Sequence, residues 1–169
     1  MNAAQLEQLH SEVGSLSQLD HPNILKVYDY KPDGLYTNSS GASRQMAYLV
    51  TEYVPNCELL GYCNIEALPE ELCRFYTKQI LSAIIHMQKK GFAHRDIKPD
   101  NIALDADFNV KILDFGAACE LRGDNSTGLV SSFPGTPMYM SPEIESGSRY
   151  RASDADLFAL AVTLFVMKV

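Results

Sequence analysis

The stretch His94-Arg95-Asp96-Ile97-Lys98-Pro99-Asp100-Asn101 decides how the rest of the chain is interpreted. An amphipathic run that ends at Gly91 precedes it, and the short apolar run Ile102-Ala103-Leu104 follows it. These flanks predict a loop between a helix and a small strand. Within a few residues the loop gathers a carboxylate, an ammonium and an amide. Such groups can orient a hydroxyl, neutralise a phosphoryl group and hold a magnesium ion.

A second stretch, Val110-Lys111-Ile112-Leu113-Asp114-Phe115-Gly116, puts another carboxylate at the end of another short apolar run. In this order the two stretches resemble the catalytic loop and the Asp-Phe-Gly motif of eukaryotic protein kinases. Residues 135–143 resemble the end of a kinase activation segment, with Ser141 where the family's Ala-Pro-Glu motif has alanine. The resemblance implies an α+β fold with two lobes, of which this chain holds part.

Size and composition narrow the class of protein. A length of 169 residues suits one ordinary domain, and 46% hydrophobic with 21% charged residues is typical of a globular chain. The net charge of −7, without a Lys/Arg cluster, argues against nucleic acid or an anionic membrane as the main partner. The four cysteines lack paired or metal-ligand spacing, which indicates reduced thiols in a cytoplasmic protein. The apolar run 157–166 is shorter than the ~20 residues of a membrane span and predicts a buried helix.

Periodicity predicts the elements around the two motifs. An apolar face at three- and four-residue steps predicts a helix over residues 6–19, which Pro22 prevents from continuing. Residues 24–30 and 47–53 predict two strands, and the intervening Pro/Gly/Asn/Ser-rich residues 31–45 predict a flexible loop. A long helix follows Pro69 and stops at Gly91. By the resemblance, residues 1–53 are a remnant of the small lobe and residues 54–169 a partial large lobe.

The resemblance also implies the chemistry of the two motifs. Asp96 would orient the substrate hydroxyl and accept its proton, which requires an acceptor within hydrogen-bond reach. Lys98 would lie against the transferring phosphoryl group as a compact positive charge. Asn101 and Asp114 would supply oxygen ligands to Mg2+. Asp156 would brace the catalytic loop from a buried helix.

For ATP, the resemblance points to the residues that follow the second predicted strand. Residues 48–54 resemble the last small-lobe strand running into the hinge. Backbone groups of Glu52 and Val54 would meet the adenine edge, and Thr51 would guard the rear of the pocket. Ala103 is the fourth residue that the resemblance assigns to the nucleotide.

Four residues are expected to regulate the site. Glu12 stands where kinases place an ion-pairing glutamate, and Thr136 would bond between Asp96 and Lys98. Arg95 would receive a phosphate from the activation segment through charge-assisted hydrogen bonds. Ser132 lies three residues before Gly135 and is the predicted phosphosite for an upstream activating kinase. The competing sites are Ser126, Thr127 and Ser131, and Arg122 is a candidate helper of the arginine.

These features predict a serine/threonine protein kinase catalytic domain fragment, truncated at both ends, that in its complete form transfers the ATP γ-phosphate to Ser or Thr of a protein substrate. Lys98 and the Gly135-Thr136-Pro137 run indicate the Ser/Thr class. No Gly-x-Gly-x-x-Gly loop and no small-lobe lysine for Glu12 occur in these residues, so the chain as given is expected to be inactive. The alternative is a non-catalytic, kinase-like module that binds or regulates other proteins.

Overall fold

The computed structural model describes residues 3–132 and 134–169, without the side chains of residues 3–8 and 11. The helices are α1 (Ala3–Leu16), α2 (Leu59–Cys63), α3 (Glu70–Lys89), α4 (Pro142–Glu145) and α5 (Ala152–Lys168). The strands are β1 (Val27–Thr37), β2 (Ser43–Thr51), β3 (Asn56–Glu58), β4 (Phe92–Ala93), β5 (Ile102–Leu104), β6 (Val110–Ile112) and β7 (Cys119–Glu120). Single 3-10 turns cover Pro99–Asn101, Asp124–Ser126 and Pro137–Tyr139.

Within the described residues, the strands form three small antiparallel sheets. They have the orders β1-β2, β3-β5-β6 and β4-β7. The last sheet joins the strand before the catalytic loop to the strand after the Asp-Phe-Gly motif. Small sheets among separate helices are an α+β arrangement, as the sequence predicts.

Helix α3 is the central scaffold, and its ends follow its sequence. Proline precedes its first turn, which carries Glu70 and Glu71, and Lys89 lies in its last turn, where a cation suits the helix dipole. Gly91, at φ 85°, then takes the left-handed conformation that commonly ends a helix. Its inner face packs against α5 in the main core, where Ile80 and Ile84 are fully buried. The predicted helix is confirmed.

The residues before β1 are part of that same core. Leu16, Leu19 and Ile24 are buried in one cluster with α3 and α5 side chains. The buried amide of Asn23 donates to Gln79 Oε1 at 3.0 Å and to the Val110 carbonyl at 2.9 Å. The N-terminal helix is therefore fixed against the strand that leads to Asp114.

The predicted flexible loop over residues 31–45 is wrong. Strand β1 continues to Thr37 and β2 begins at Ser43, so only a five-residue turn separates them. Asn38 shapes that turn, because its Oδ1 accepts the backbone N–H groups of Ser40 and Ala42 at 3.0 Å each. The polar composition belongs to a solvent-exposed hairpin, which pattern alone does not distinguish from a loop.

The two strand predictions are right in type and displaced at their ends. Ile24 lies outside β1 and instead forms a parallel bridge with Ile112. The pairing of β1 with β2 shifts register between Lys31 and Gly34, where the Tyr48 ring packs across the glycine. The polar residues 31–45 thus extend both strands beyond their predicted limits.

The apolar run near the C-terminal end lies in α5. Ala159, Leu160 and Met167 of this helix are buried, whereas Phe165 is 65% exposed. None of the helices in the described part of the chain has the length and apolar character needed to cross a membrane.

Candidate active site

The backbone of the catalytic loop is hydrogen-bonded to one buried carboxylate on α5. Asp156 is fully buried, and its two oxygens accept the backbone N–H groups of His94 at 2.8 Å and Arg95 at 2.7 Å. Burial raises the pKa of Asp156. The electrostatic influence of His94, the two backbone N–H groups and the Arg95 charge oppose that rise. Asp156 thus contacts the catalytic loop from a buried helix, as the resemblance implies.

His94 connects the loop to the Asp-Phe-Gly stretch. Its Nε2 lies 2.9 Å from the Leu113 carbonyl, which can only accept, so this nitrogen carries the proton. Nδ1 then accepts the Asp96 backbone N–H at 3.3 Å. The ring also meets the edge of Phe115, with centroids 4.8 Å apart. Both ring nitrogens of this buried imidazole are therefore bonded to the backbone, and the ring helps to orient the two motifs.

Two site residues have left-handed backbones. Arg95 has φ 66° and Asp114 has φ 54°, a conformation that costs a non-glycine residue about 1–2 kcal/mol. Gly135 approaches the same loop, at φ 108°, and a Cβ there would lie 2.6 Å from the Arg95 carbonyl oxygen. Glycine is therefore required where the activation segment crosses the catalytic loop.

A compact polar network surrounds the Asp96 carboxylate. Lys98 Nζ lies 2.8 Å from Asp96 Oδ2 and donates to Thr136 Oγ1 at 2.6 Å. Thr136 Oγ1 in turn donates to Asp96 Oδ1 at 3.0 Å, and Asn101 Nδ2 donates to Oδ2 at 2.7 Å. Burial alone would raise the pKa of Asp96, but these hydrogen bonds and the Lys98 charge hold it below its ordinary value. Asp96 is thus kept as an oriented carboxylate.

Asp114 lies at the solvent-facing side of the site. It is exposed, and its Oδ1 accepts the Gly116 backbone N–H at 3.1 Å. The Leu113 N–H donates to the Asn101 carbonyl at 2.8 Å, which ties the two motifs together. Because the Asn101 amide nitrogen is committed to Asp96, its Oδ1 is the amide atom left for a cation. The part of the chain that the structure describes has no cluster of three or more His, Cys, Asp or Glu that could hold a metal.

Glu12 on α1 faces the Asp-Phe-Gly stretch. Partial burial raises its pKa, the Asp114 carboxylate raises it further, and the Phe115 backbone N–H opposes both effects. The structure therefore brings the predicted regulatory glutamate to the site, where it meets another carboxylate.

The four residues assigned to the nucleotide lie on two neighbouring segments. Thr51, Glu52 and Val54 are half-buried at and after the end of β2, and Ala103 is buried in β5. The Glu52 N–H already donates to the Lys26 carbonyl at 2.9 Å, and the Glu52 carbonyl accepts the Thr51 hydroxyl at 3.1 Å, so a ligand would use the second lone pair of that carbonyl.

The ion pair between Glu52 and Lys111 went unrecognised in the sequence. Lys111 Nζ lies 2.8 Å from Glu52 Oε2, and both side chains are largely buried. Lys111 is also the sheet partner of Ala103, so this lysine joins the segment that follows β2 to the sheet that contains β5. A lysine between the buried residues of a short strand was the signal for such a pair.

Arg95 reaches the activation segment. Its Nε donates to the Ala117 carbonyl and its Nη1 to Ser132 Oγ, each at 2.7 Å. Ser132 is exposed. The candidate helper Arg122 instead forms a surface ion pair with Glu120, so its placement gives no support for a role beside Arg95.

Tyr150 was also missed, because one tyrosine in a polar segment carries no pattern. Its ring is 2% exposed, and its hydroxyl donates to the Ser132 carbonyl at 3.0 Å. Its backbone pairs with Val130 through two hydrogen bonds of 2.9 and 3.1 Å. This residue fastens the activation segment close to Arg95.

The chain matches known proteins over its whole length. The family model described as protein kinase domain covers residues 1–169. The chain is similar to CBL-interacting protein kinase 11 of Oryza sativa subsp. japonica, with 32% identity over 99% of this chain and 32% of the relative. It is also similar to CBL-interacting serine/threonine-protein kinase 12 of Arabidopsis thaliana, with 32% identity over 96% of this chain and 31% of the relative.

A third similar protein is the maternal embryonic leucine zipper kinase of Danio rerio, with 32% identity over 96% of this chain and 22% of the relative. The chain spans about a third, or less, of the length of the curated relatives named here. The chain belongs to the protein kinase domain family. The predicted fold class and the predicted kinase family are confirmed, and one of the relatives is named a serine/threonine-protein kinase.

Proposed function

We propose that the protein that contains this chain transfers the γ-phosphate of ATP to a serine or threonine hydroxyl of a protein. Asp96 accepts the proton of the substrate hydroxyl while that oxygen forms the new bond to phosphorus, and the bond from phosphorus to the β–γ bridging oxygen breaks to release ADP. Lys98 offsets the negative charge on the transferring group. The observation that supports this is the Asp96 carboxylate, oriented by Lys98, Thr136 and Asn101.

The residues present also suit Mg2+. Asn101 Oδ1 and the exposed Asp114 carboxylate are hard oxygen donors, and Mg2+ commonly takes one or two protein ligands together with substrate phosphates. When bound, the ion neutralises phosphate charge as the bond to the leaving group breaks. Glu12 would act as a regulatory residue, because its own ionisation decides whether a second negative charge lies beside Asp114.

We place the adenine between the Glu52–Val54 backbone and Ala103, with Thr51 behind it. On this reading the hinge divides residues 1–53 from residues 54–169. All four cysteines are free, which suits a reducing compartment such as the cytoplasm. Two of the relatives are named as CBL-interacting; for this chain the proposed partner is a protein substrate with a Ser or Thr acceptor.

Ser132 is the proposed activating phosphosite, modified by an upstream kinase. Its hydroxyl is exposed and lies 2.7 Å from Arg95 Nη1, so a phosphate there would gain a charge-assisted bond next to the catalytic loop. A segment held in place at Ser132 would also hold Thr136, four residues later, whose hydroxyl donates to Asp96.

The test is phosphate transfer by the protein that contains this chain, with γ-labelled ATP, Mg2+ and a peptide library holding Ser, Thr and Tyr acceptors. Phosphoserine and phosphothreonine are expected, without phosphotyrosine. Asp96→Asn is expected to lower turnover by roughly 10²–10⁴-fold, because general acid–base groups contribute on that scale. Asp107→Asn, in the exposed turn after β5, is the matched control and should leave turnover unchanged.

Binding of ATP and Mg2+ is measured on the same samples. Tight nucleotide binding with no transfer, unchanged by Asp96→Asn, would overturn the proposal and favour a non-catalytic kinase-like module. Phosphotyrosine as the main product would overturn the substrate class alone.

A further inference from the structure

Two adjacent serines of the activation segment face groups of opposite charge. Ser132 Oγ accepts from Arg95 Nη1 at 2.7 Å. Ser131 Oγ instead donates to Asp124 Oδ2 at 2.6 Å. Both serines are exposed and hence open to a modifying enzyme. A phosphate would therefore meet a cation at one position and a carboxylate at the next.

Asp124 is the polar centre of the loop 123–131. Its backbone N–H donates to the Leu129 carbonyl, and its own carbonyl accepts the Thr127 hydroxyl, each at 2.7 Å. The Ser131 hydroxyl bond is the main reason that the pKa of Asp124 lies below its ordinary value; the Ser131 backbone N–H and the arginines Arg149 and Arg95 add to it, against a smaller opposing effect of burial. Ser131 and the ionised Asp124 thus close this loop together.

We infer that Ser131 is a second modification site, at which a phosphate opens the loop 123–131, whereas a phosphate on Ser132 fastens the segment to Arg95. A phosphoryl group on Ser131 removes the O–H donor that Asp124 now uses. It also places about −1.5 to −2 charges beside that carboxylate, an arrangement that repels and disrupts. One residue further along the chain, the same group meets a guanidinium and gains hydrogen bonds.

Arg149 is a cation at the Ser131 side of the loop. Its Nη2 lies 4.0 Å from Asp124 Oδ2 and donates to Thr127 Oγ1 at 3.0 Å. It would have to serve both Asp124 and the new dianion, and its side chain is 46% exposed and screened by solvent. The guanidinium of Arg95 donates to the neutral oxygens of Ala117 and Ser132, and its charge acts on Asp124 and Asp156 without a direct ion pair among the described residues. A phosphate on Ser132 would therefore be its first direct ionic partner.

The consequence for catalysis rests on the proposed function, since an open segment would withdraw Thr136 from Asp96. The movement of the loop does not depend on it. The test therefore measures the segment directly, so that a failure here is separable from an absence of kinase activity.

The experiment places phosphoserine at position 131 or 132 of the full chain by suppression of a stop codon and follows backbone amide exchange by mass spectrometry. Phosphoserine 131 should speed exchange of residues 123–131 by about tenfold or more, because a hydrogen bond to a charged group is lost. Phosphoserine 132 should slow exchange of the segment. Phosphoserine at position 39, in the β1–β2 turn, controls for added net charge. It should change neither the exchange of residues 123–131 nor that of the segment around Ser132.

Asp124→Asn supplies the matched rescue, because an amide can donate to the phosphate that the carboxylate repels. In that background phosphoserine 131 should exchange within about twofold of the unmodified loop. Equal slowing by both phosphoserines, or no relief by Asp124→Asn, would overturn the proposal. A protective effect of phosphoserine 131 that disappears with Arg95→Ala would do the same and would make Ser131 an activating site. Faster exchange in α3 would show general unfolding and also count against a local opening.

Discussion

The catalytic loop 94–101 and the activation loop 123–131 lie next to each other, and each is organised by an aspartate that accepts hydrogen bonds from the chain around it. Asp156 holds the first loop from full burial. Asp124 holds the second with its side chain 39% exposed. The two aspartates therefore accept the same kind of hydrogen bond, one in the protein interior and the other at the surface.

The difference separates a fixed element from a switchable one. In the interior a hydrogen bond is electrostatically stronger and an unpaired group costs more, so the buried aspartate admits one loop geometry. At the surface water replaces a lost partner and salt screens the charge, so small chemical changes can open the loop. The carboxylate that shapes the loop of Asp96 belongs to the first environment, and the two serines proposed for modification belong to the second.

Removing the buried anchor should have the largest effect. Asp156→Ala leaves the His94 and Arg95 N–H groups buried without an acceptor, at about 1–3 kcal/mol each. We expect the free energy of unfolding to fall by about 2–5 kcal/mol in urea titration followed by circular dichroism.

Asp154→Ala is the matched control on the same helix, because Asp154 is exposed. It should change the free energy of unfolding by less than about 0.5 kcal/mol. Similar losses for the two variants would contradict the picture of a loop fixed by burial.

An intermediate effect is expected where the activation segment meets the catalytic loop. Thr136→Val removes the hydroxyl that donates to Asp96 and accepts from Lys98, which should cost about 1–2 kcal/mol of stability at neutral pH and roughly 10- to 100-fold in turnover. Thr136→Ser keeps the hydroxyl and should retain most of both.

The pH dependence of that variant sharpens the test. The folded pKa of Asp96 is depressed, so the unfolded state binds more protons and the stabilisation is lost as pH falls through the range below about 4. Thr136→Val should raise the pKa of Asp96 in a carboxyl NMR titration and lessen this acid loss. An unchanged pKa would mean that the hydroxyl bond contributes little to the Asp96 charge.

The smallest effect on global stability is expected from a change confined to the exposed loop. Gly123 has φ 64°, and an added Cβ would lie 2.5 Å from the backbone N and O of Leu129. Gly128, at φ 74° in the same loop, has open space around its Cβ position. Gly123→Ala should therefore speed amide exchange of residues 123–131 more than Gly128→Ala, which carries only the ~1–2 kcal/mol conformational cost. Equal exchange in the two variants would mean that the close approach is relieved cheaply.

Much of the fold followed from local patterns. The long helix was predictable because Pro69, the acidic first turn and Gly91 act through local backbone and charge effects that do not depend on the tertiary context. The hairpin was not, because residues 31–45 have the composition of a loop and become strands only through cross-strand partners.

The candidate site divides in the same way. Asp96, Lys98 and Asn101 lie within one short stretch, and the resemblance to the kinase catalytic loop already groups them in one site. Tyr150 and Lys111 act through partners 18 and 59 residues away in sequence. The position of Lys111 in a short buried strand signals that it needs a partner, but no local pattern identifies Glu52. The opposite surroundings of Ser131 and Ser132 are likewise visible only once Asp124 and Arg95 are placed in space.

The hydrogen bonds from His94 and Arg95 to Asp156 also constrain the order of events during translation. The anchor lies 62 and 61 residues after its two partners. The ribosome therefore finishes the whole activation segment before the aspartate that shapes the catalytic loop emerges, and chains are made at about 5–20 residues per second. For that interval the backbone N–H groups of His94 and Arg95 lack the acceptor that fixes their loop in the folded protein.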